Sequence, residues 1–159
     1  MHRTYQEKKR VTVAGSSPAG LAVNERSGAA YATDLANDRI IEITPRARTP
    51  RLIPAGDGPL SIALSRDGRT AYAAGQADGA LSLIDLRKGI VTKKVPTGAG
   101  ALSVTTDPAS GRALVANRTD ATVTVVDELS HMRARHAAGP VKSREAFVPG
   151  LPCCHGACW

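Results

Sequence analysis

The sequence predicts an all-β fold built from structural repeats of about forty residues. Three observations lead to this prediction. The apolar residues are mainly Val, Ile, Leu and Ala, with one Phe and three Tyr in 159 residues. Short β-branched runs are separated by turns rich in Gly, Pro, Asp and Asn, as is typical of chains of short strands. One pattern of residues also recurs, at spacings of 41 and then 42 residues.

The repeat has three anchors in each unit. The first anchor is a run of residues at 18–23, 59–64 and 101–106. The second and third anchors are apolar positions, found at Tyr31 and Ile43, at Tyr72 and Ile84, and at Leu114 and Val126. Because the spacing inside each unit is constant, the units are predicted to share one structure.

Each unit is predicted to hold four short strands. The first is expected at 21–23, 62–64 and 104–106, and the second contains the Tyr31, Tyr72 or Leu114 anchor. The third is expected at 80–85 and 122–127, where apolar and hydroxyl side chains alternate with the period of two of a strand. The fourth is expected at 51–55 and 93–97. Turns with Gly28, Gly68 and Gly111 precede the second strand, and turns at 37–38, 78–79 and 120–121 follow it.

Four strands in about forty residues are typical of a blade of a β-propeller, whereas helical repeats need a period of 3.6 residues that is not found here. We therefore predict an all-β β-propeller region over 1–139, with about three four-stranded blades forming an incomplete ring. Its units lie near 16–56, 57–98 and 99–139, and residues 9–15 are expected to add a strand to a preceding blade. Residues 140–159 break the composition of the repeats and are predicted to form an irregular or disordered tail, out of frame or truncated.

The units resemble the YVTN-type β-propeller repeat. In that family a proline-led strand and an Asp-Gly turn precede a Tyr-Val-Thr-Asn strand start and a Val-x-Val-Ile-Asp strand. The namesake motif is partly present at 31–34, 72–75 and 114–117, and the Ile-Asp element is present at 84–85 and, as Val-Asp, at 126–127. The resemblance covers residues 9–139. It implies a propeller like those of surface-layer proteins, of periplasmic or secreted binding proteins and of accessory domains of redox enzymes. It also implies an extracytoplasmic location, although the chain starts without an export signal.

The net charge of +7 raises the question of a nucleic-acid partner. Five of the seven net charges lie in residues 1–15 and 128–159, whereas the repeats mix both signs. A nucleic-acid surface needs clustered basic residues, preferably with stacking aromatic side chains. Neither is visible, so we predict no nucleic-acid partner. No apolar stretch of about 18 residues occurs, so we also predict no membrane span.

All cysteines lie in the last seven residues, beside a histidine. Cys153, Cys154, His155 and Cys158 offer the ligand types that Zn²⁺ prefers. Their spacing does not match the usual zinc sites, and adjacent cysteines do not easily share one tetrahedron. We therefore predict neither a metal nor a cofactor, and these four residues are the candidates if a metal site exists.

The other chemically interesting residues are predicted to be structural. Asp85 and Asp127 recur at one position of two units, which favours turn capping over catalysis because a catalytic residue is normally unique. Six aspartates are expected in turns: Asp34, Asp38, Asp67, Asp78, Asp107 and Asp120. Tyr31 and Tyr72 are expected to pack in the core or between blades. His131 and His136 are expected in a basic loop or edge strand.

No catalytic constellation is found in the sequence, and no catalytic residue is predicted. The leading hypothesis is therefore a non-enzymatic binding or scaffold propeller that meets a protein or small ligand at its loop face or central channel. The alternative is a fragment of a propeller enzyme, either a lactonase-like hydrolase or a quinoprotein-like oxidoreductase. A third hypothesis is self-association, in which two chains close a six-bladed ring.

Overall fold

The computed structural model describes residues 10–127, which form strands joined by turns. The strands are β1 (Pro18–Val23), β2 (Ala30–Asp34), β3 (Arg39–Ile43), β4 (Arg51–Pro54), β5 (Pro59–Leu64), β6 (Thr70–Gly75), β7 (Ala80–Asp85), β8 (Ile90–Pro96), β9 (Ala101–Thr106), β10 (Ala113–Asn117) and β11 (Thr122–Val126). No helix that could cross a membrane occurs within residues 10–127.

The strands form three antiparallel sheets, each made of strands that follow one another in sequence. We name them blade 1 (β1–β4), blade 2 (β5–β8) and blade 3 (β9–β11). The register repeats from blade to blade, since Tyr31 lies opposite Glu42 in blade 1 and Tyr72 lies opposite Leu83 in blade 2. The first strands β1, β5 and β9 lie next to one another. These features confirm the predicted all-β fold of propeller blades.

The core lies between the blades. One cluster joins Tyr31, Ile40 and Ile53 of blade 1 to Ile62 and Ile84 of blade 2. A second cluster joins blade 2 to blade 3 through Tyr72, Leu81, Val104, Ala113 and Val115. The two tyrosines are only 4% and 1% exposed, which confirms their predicted packing role. Each blade thus buries its apolar side chains against the next blade, as propeller blades do.

The turns have the backbone conformations that their sequences favour. Gly28, Gly68 and Gly111 have φ of +70°, +68° and +75° in the turn before the second strand of each blade. The turn after the second strand also has one residue with positive φ in each blade. That residue is Asp38 in blade 1, Gly79 in blade 2 and Ala121 in blade 3, with φ of +52°, +60° and +53°.

The first strand of each blade is longer than predicted, because it begins at Pro18, Pro59 or Ala101. A register shift near each of these starts lets the extra residues pair with the second strand. Residues 10–15 form no strand, contrary to the expectation for 9–15, since none of the described strands lies beside them to complete a ladder. The expected fourth strand of blade 3 and the predicted tail at 140–159 lie outside the described residues.

Candidate functional site

A solvent-open cleft of about 760 Å³ lies between blade 1 and blade 2, at the edge that carries the turns after β1, β3, β5 and β7. We name it the basic cleft. Glu42 is the carboxylate in its lining, and five arginines line it: Arg26, Arg46, Arg51, Arg69 and Arg87. A volume of this size lies in the range of small-molecule sites.

Antiparallel strands bring these arginines to one edge. Arg26 lies in the β1–β2 turn and Arg46 in the β3–β4 loop, whereas Arg51 is the first residue of β4. Arg69 and Arg87 lie in the β5–β6 and β7–β8 turns of the neighbouring blade. All five positions are strand ends or turns on the same side of the sheets. Two adjacent blades therefore contribute cations to one cleft.

The floor of the cleft is a hydrogen-bonded network that joins the two blades. The Tyr31 hydroxyl donates to Glu42 Oε1 at 3.1 Å, and Arg51 Nη1 lies 3.3 Å from Glu42 Oε2. Arg51 also donates to the backbone carbonyls of Leu86 and Arg87 in blade 2, at 2.8 Å and 3.3 Å. Glu42 and Arg51 therefore hold the cleft together and are engaged before any ligand arrives.

Tyr31 is poorly suited to acid–base chemistry. Burial and the neighbouring Glu42 carboxylate raise the pKa of Tyr31 to about 12, and the Arg51 charge offsets only part of this effect. A general acid or base works best when its pKa lies near the working pH. The Tyr31 hydroxyl thus stays protonated near neutral pH and serves as a hydrogen-bond donor to Glu42.

Three of the arginines are exposed and their guanidinium groups are not committed to a hydrogen bond or ion pair within residues 10–127. Arg26, Arg46 and Arg87 make no side-chain hydrogen bond or ion pair in this part of the chain. Arg69 approaches Asp67 at 3.8 Å, and both side chains of that pair are largely exposed. The donors on the rim of the cleft are therefore available to a ligand.

Asp34 differs from the sequence prediction of a turn residue. It is the last residue of β2, and its side chain is fully buried beside Arg39, with 2.8 Å between Asp34 Oδ2 and Arg39 Nε. Burial alone raises the pKa of Asp34. Hydrogen bonds from the Ser17 backbone N–H, from Arg39, from Ser16 and from Asn37 outweigh burial and lower the pKa to about 2. Asp34 is thus a buried anchor of blade 1 that lies outside the lining of the cleft.

The other predicted turn aspartates accept backbone N–H groups. Asp38 accepts from the N–H of Gly58, Asp67 from that of Arg69, and Asp78 from that of Ala80. Asp107 accepts from the N–H of Ala109, and Asp120 from that of Ala99. Asp85 accepts from the Lys88 N–H at 2.9 Å, as expected of a turn cap. Asp127 instead pairs with Arg112 across blade 3.

The candidate metal ligands Cys153, Cys154, His155 and Cys158 lie outside the described residues, as do His131 and His136. Among residues 10–127 there is no cluster of three or more His, Cys, Asp or Glu side chains that could hold a metal ion.

The basic cleft was missed by the sequence analysis, because its arginines are spread over 62 positions of the chain, from Arg26 to Arg87. One signal was available. Arg46 and Arg87 are 41 residues apart, which is the length of the repeat, so they occupy one position in two adjacent blades. Along the chain these arginines are interspersed with acidic residues, so their proximity in the fold is not visible in the linear sequence.

The fold and the cleft define a segment of propeller blades with a cationic opening between two of them, and solved structures share this fold. Hydrazine synthase of Kuenenia stuttgartiensis matches 79% of the chain with a TM-score of 0.67 at 16% identity. A 6-phosphogluconolactonase-like protein of Bacteroides fragilis matches 72% with a TM-score of 0.63 at 22% identity. A structure of a nidogen–laminin complex matches 72% with a TM-score of 0.61 at 19% identity.

These similarities concern the fold alone, since all three identities are below 25%. The chain spans 36%, 36% and 45% of the length of the three matched proteins. No protein-family model and no curated protein sequence matches the chain. The shared fold hosts an enzyme-like protein and a protein of a binding complex, and a fold does not fix a function.

Proposed function

We propose that the chain is part of a YVTN-type propeller that acts as a non-enzymatic binding or scaffold module, with its ligand site in the basic cleft. The observation that carries this proposal is that some charged residues of the cleft are engaged in contacts within the protein, whereas others are exposed to solvent. Glu42 and Arg51 are occupied by each other, by Tyr31 and by backbone carbonyls. Arg26, Arg46 and Arg87 are exposed and make no side-chain hydrogen bond or ion pair within residues 10–127.

The chemistry of the lining supports binding over turnover. A hydrolase needs a nucleophile or a general base with a pKa suited to the working pH. The part of the lining that residues 10–127 provide contains neither His nor Cys, and the hydroxyl of Tyr31 has a pKa of about 12. Arginine is always protonated near neutral pH, so its contribution here is recognition.

The resemblance of the repeats supports membership of the YVTN-type family. The features that support it are the proline at the start of β1 and β5, the Asp67-Gly68 turn before β6 and the Ile84-Asp85 end of β7. The alternative function is that of a propeller enzyme whose catalytic residues lie on other blades. The binding function and the enzyme alternative are both proposed for the whole propeller.

The test is a thermal-shift screen of metabolites and peptides against the purified chain, followed by recovery of each hit. We expect hits whose stabilisation is reduced in Arg87→Gln and retained in Arg118→Gln, an exposed arginine of blade 3 outside the cleft. Mass spectrometry should recover these hits chemically unchanged.

A hit converted to product at a rate proportional to protein concentration would favour the enzyme alternative. Hits that respond equally to the two arginine substitutions would place the ligand site elsewhere on the blades.

A further inference from the structure

We infer that the basic cleft binds a small organic anion with at least two phosphate groups; this inference rests on the proposed function and names its ligand class. The lining of the cleft has five guanidinium groups and one carboxylate, that of Glu42. Asp67 lies beside Arg69 and Asp85 lies near Arg87, so five cations against three carboxylates leave an excess of two positive charges. Like charges around one opening repel each other, and a bound polyanion removes that repulsion.

The arginines come from both blades that form the cleft: Arg26, Arg46 and Arg51 belong to blade 1, and Arg69 and Arg87 belong to blade 2. Arg26 and Arg69 share Asp67 as a charge neighbour, which places them near the β5–β6 turn. Arg51 reaches from blade 1 to the β7–β8 turn that carries Arg87, since Arg51 Nη2 contacts the backbone carbonyl oxygen of Arg87 at 3.3 Å. Cations from both sides of one opening favour a ligand with more than one anionic group over a single small anion.

Arginine favours phosphate and carboxylate groups, because its planar fork donates two parallel hydrogen bonds to their oxygens. Phosphate offers more negative charge per group at neutral pH than a carboxylate, which suits a cleft with an excess of positive charge. The lining also includes Ala29, Pro45 and Leu86, so an organic body between the phosphates has apolar surface to contact.

The size and position of the cleft favour a small molecule over a nucleic acid. A nucleic-acid backbone needs cations that continue along a groove, with aromatic side chains for stacking. Here the cations surround a cavity of about 760 Å³, and the aromatic ring in the lining, Tyr31, is 4% exposed and committed to Glu42.

The probes for the test are orthophosphate, pyrophosphate and tripolyphosphate, titrated into the full chain by calorimetry at about 150 mM salt, where unspecific surface attraction is screened. We expect tripolyphosphate to bind at least about tenfold more tightly than orthophosphate, because it reaches more than one guanidinium group. The double variant Arg46→Gln with Arg87→Gln should weaken tripolyphosphate binding by about tenfold or more.

The matched control is Lys93→Gln with Arg118→Gln, which removes the same charge from exposed positions outside the cleft. It should change the affinity by less than about twofold. Circular dichroism and the melting temperature of each variant establish that it is folded. Arg51 is left unchanged in both variants because it joins the blades.

Three results would overturn the inference. The first is that the wild-type chain binds none of the three phosphates. The second is that the two double variants lose affinity for tripolyphosphate equally. The third is that a twelve-residue oligothymidylate binds more tightly than tripolyphosphate and loses affinity when Lys93 and Arg118 are replaced. If phosphates fail but neutral ligands from the screen still depend on Arg87, the ligand class is wrong and the proposed binding function stands. If a ligand is turned over, the proposed function itself fails.

Discussion

Asp34 and Asn117 occupy the same repeat position, the last residue of the second strand, and both are buried with opposite hydrogen-bond roles. Asp34 is surrounded by donors, which include the Ser17 N–H and the Arg39 guanidinium. Asn117 Nδ2 instead donates to the Thr97 carbonyl and to the hydroxyls of two threonines. Blades 1 and 3 thus bury a polar side chain of opposite hydrogen-bond role at this position, whereas blade 2 has Gly75 there.

This difference predicts the pH dependence of stability. The pKa of Asp34 is about 2 in the folded chain, below its ordinary value of 3.8, so folding favours its charged form. The stabilisation is fully present above about pH 4 and is lost as the pH falls towards 2. We expect the free energy of unfolding, measured by urea denaturation, to fall less steeply over this interval in Asp34→Asn than in the wild type.

At neutral pH, Asp34→Asn should cost about 2 kcal/mol, because an amide replaces an acceptor of charge-assisted hydrogen bonds. Asn117→Asp should also destabilise, since it places a carboxylate against the Thr97 carbonyl. Glu25→Gln, at an exposed turn position, is the control that should change little. A tolerated Asn117→Asp would contradict the assigned roles.

At the scale of the structural element, the turn after the second strand of blade 3 carries avoidable strain. Ala121 has φ of +53°, which costs an L-residue with a Cβ about 1 kcal/mol, while Gly79 occupies the equivalent place in blade 2 with φ of +60°. We expect Ala121→Gly to stabilise the chain by about 0.5–1 kcal/mol, measured by chemical denaturation.

The reverse substitution, Gly79→Ala, should destabilise more strongly. A Cβ there would lie 2.8 Å from the backbone carbonyl oxygen of Gly98, in addition to the strain of positive φ. Ala109→Gly is the control, because Ala109 is an exposed turn alanine without positive φ. Equal effects of Ala121→Gly and Ala109→Gly would show that φ at residue 121 does not limit stability.

The strands and turns were predictable because their signals are local. The alternation of side chains at 80–85 predicted the bounds of β7. Gly28 and Gly68 predicted turns with a positive φ, which glycine adopts without the steric cost of a Cβ. The start of β1 at Pro18 was missed because a bulge, rather than a pattern of alternation, pairs residues 18–20. The basic cleft was missed because it depends on which strand ends share an edge, which is a property of the packed blades.

At the scale of the whole molecule, the two outermost blade faces expose apolar side chains. Leu21 of β1 is 71% exposed and Val123 of β11 is 64% exposed. Their repeat equivalents Ile62 and Leu81 are buried between blades. The face of blade 1 that carries Leu21 corresponds to the face by which blade 2 packs on blade 1. The face of blade 3 that carries Val123 corresponds to the face by which blade 2 packs on blade 3. These two exposed faces are therefore of the types that pack against each other between neighbouring blades.

We expect two copies to associate through these faces, with a dimeric mass in sedimentation at micromolar concentration. Leu21→Lys and Val123→Lys should each shift the chain towards the monomer, because a cation replaces a buried apolar side chain. Mixing the two variants should restore part of the dimer, since the mixed pair retains one unaltered interface. A wild-type monomer at all concentrations would contradict this prediction.

The bridge that Arg51 makes from Glu42 to the carbonyl of Leu86 spans the seam between two blades. The width of the cleft consequently depends on the angle between blades 1 and 2. That angle also contributes to the curvature of the row of blades. Association with other blades into a closed ring would fix that curvature. A ligand bound between blades 1 and 2 would favour one angle between them, and therefore one curvature. Assembly and ligand affinity would thus be thermodynamically linked.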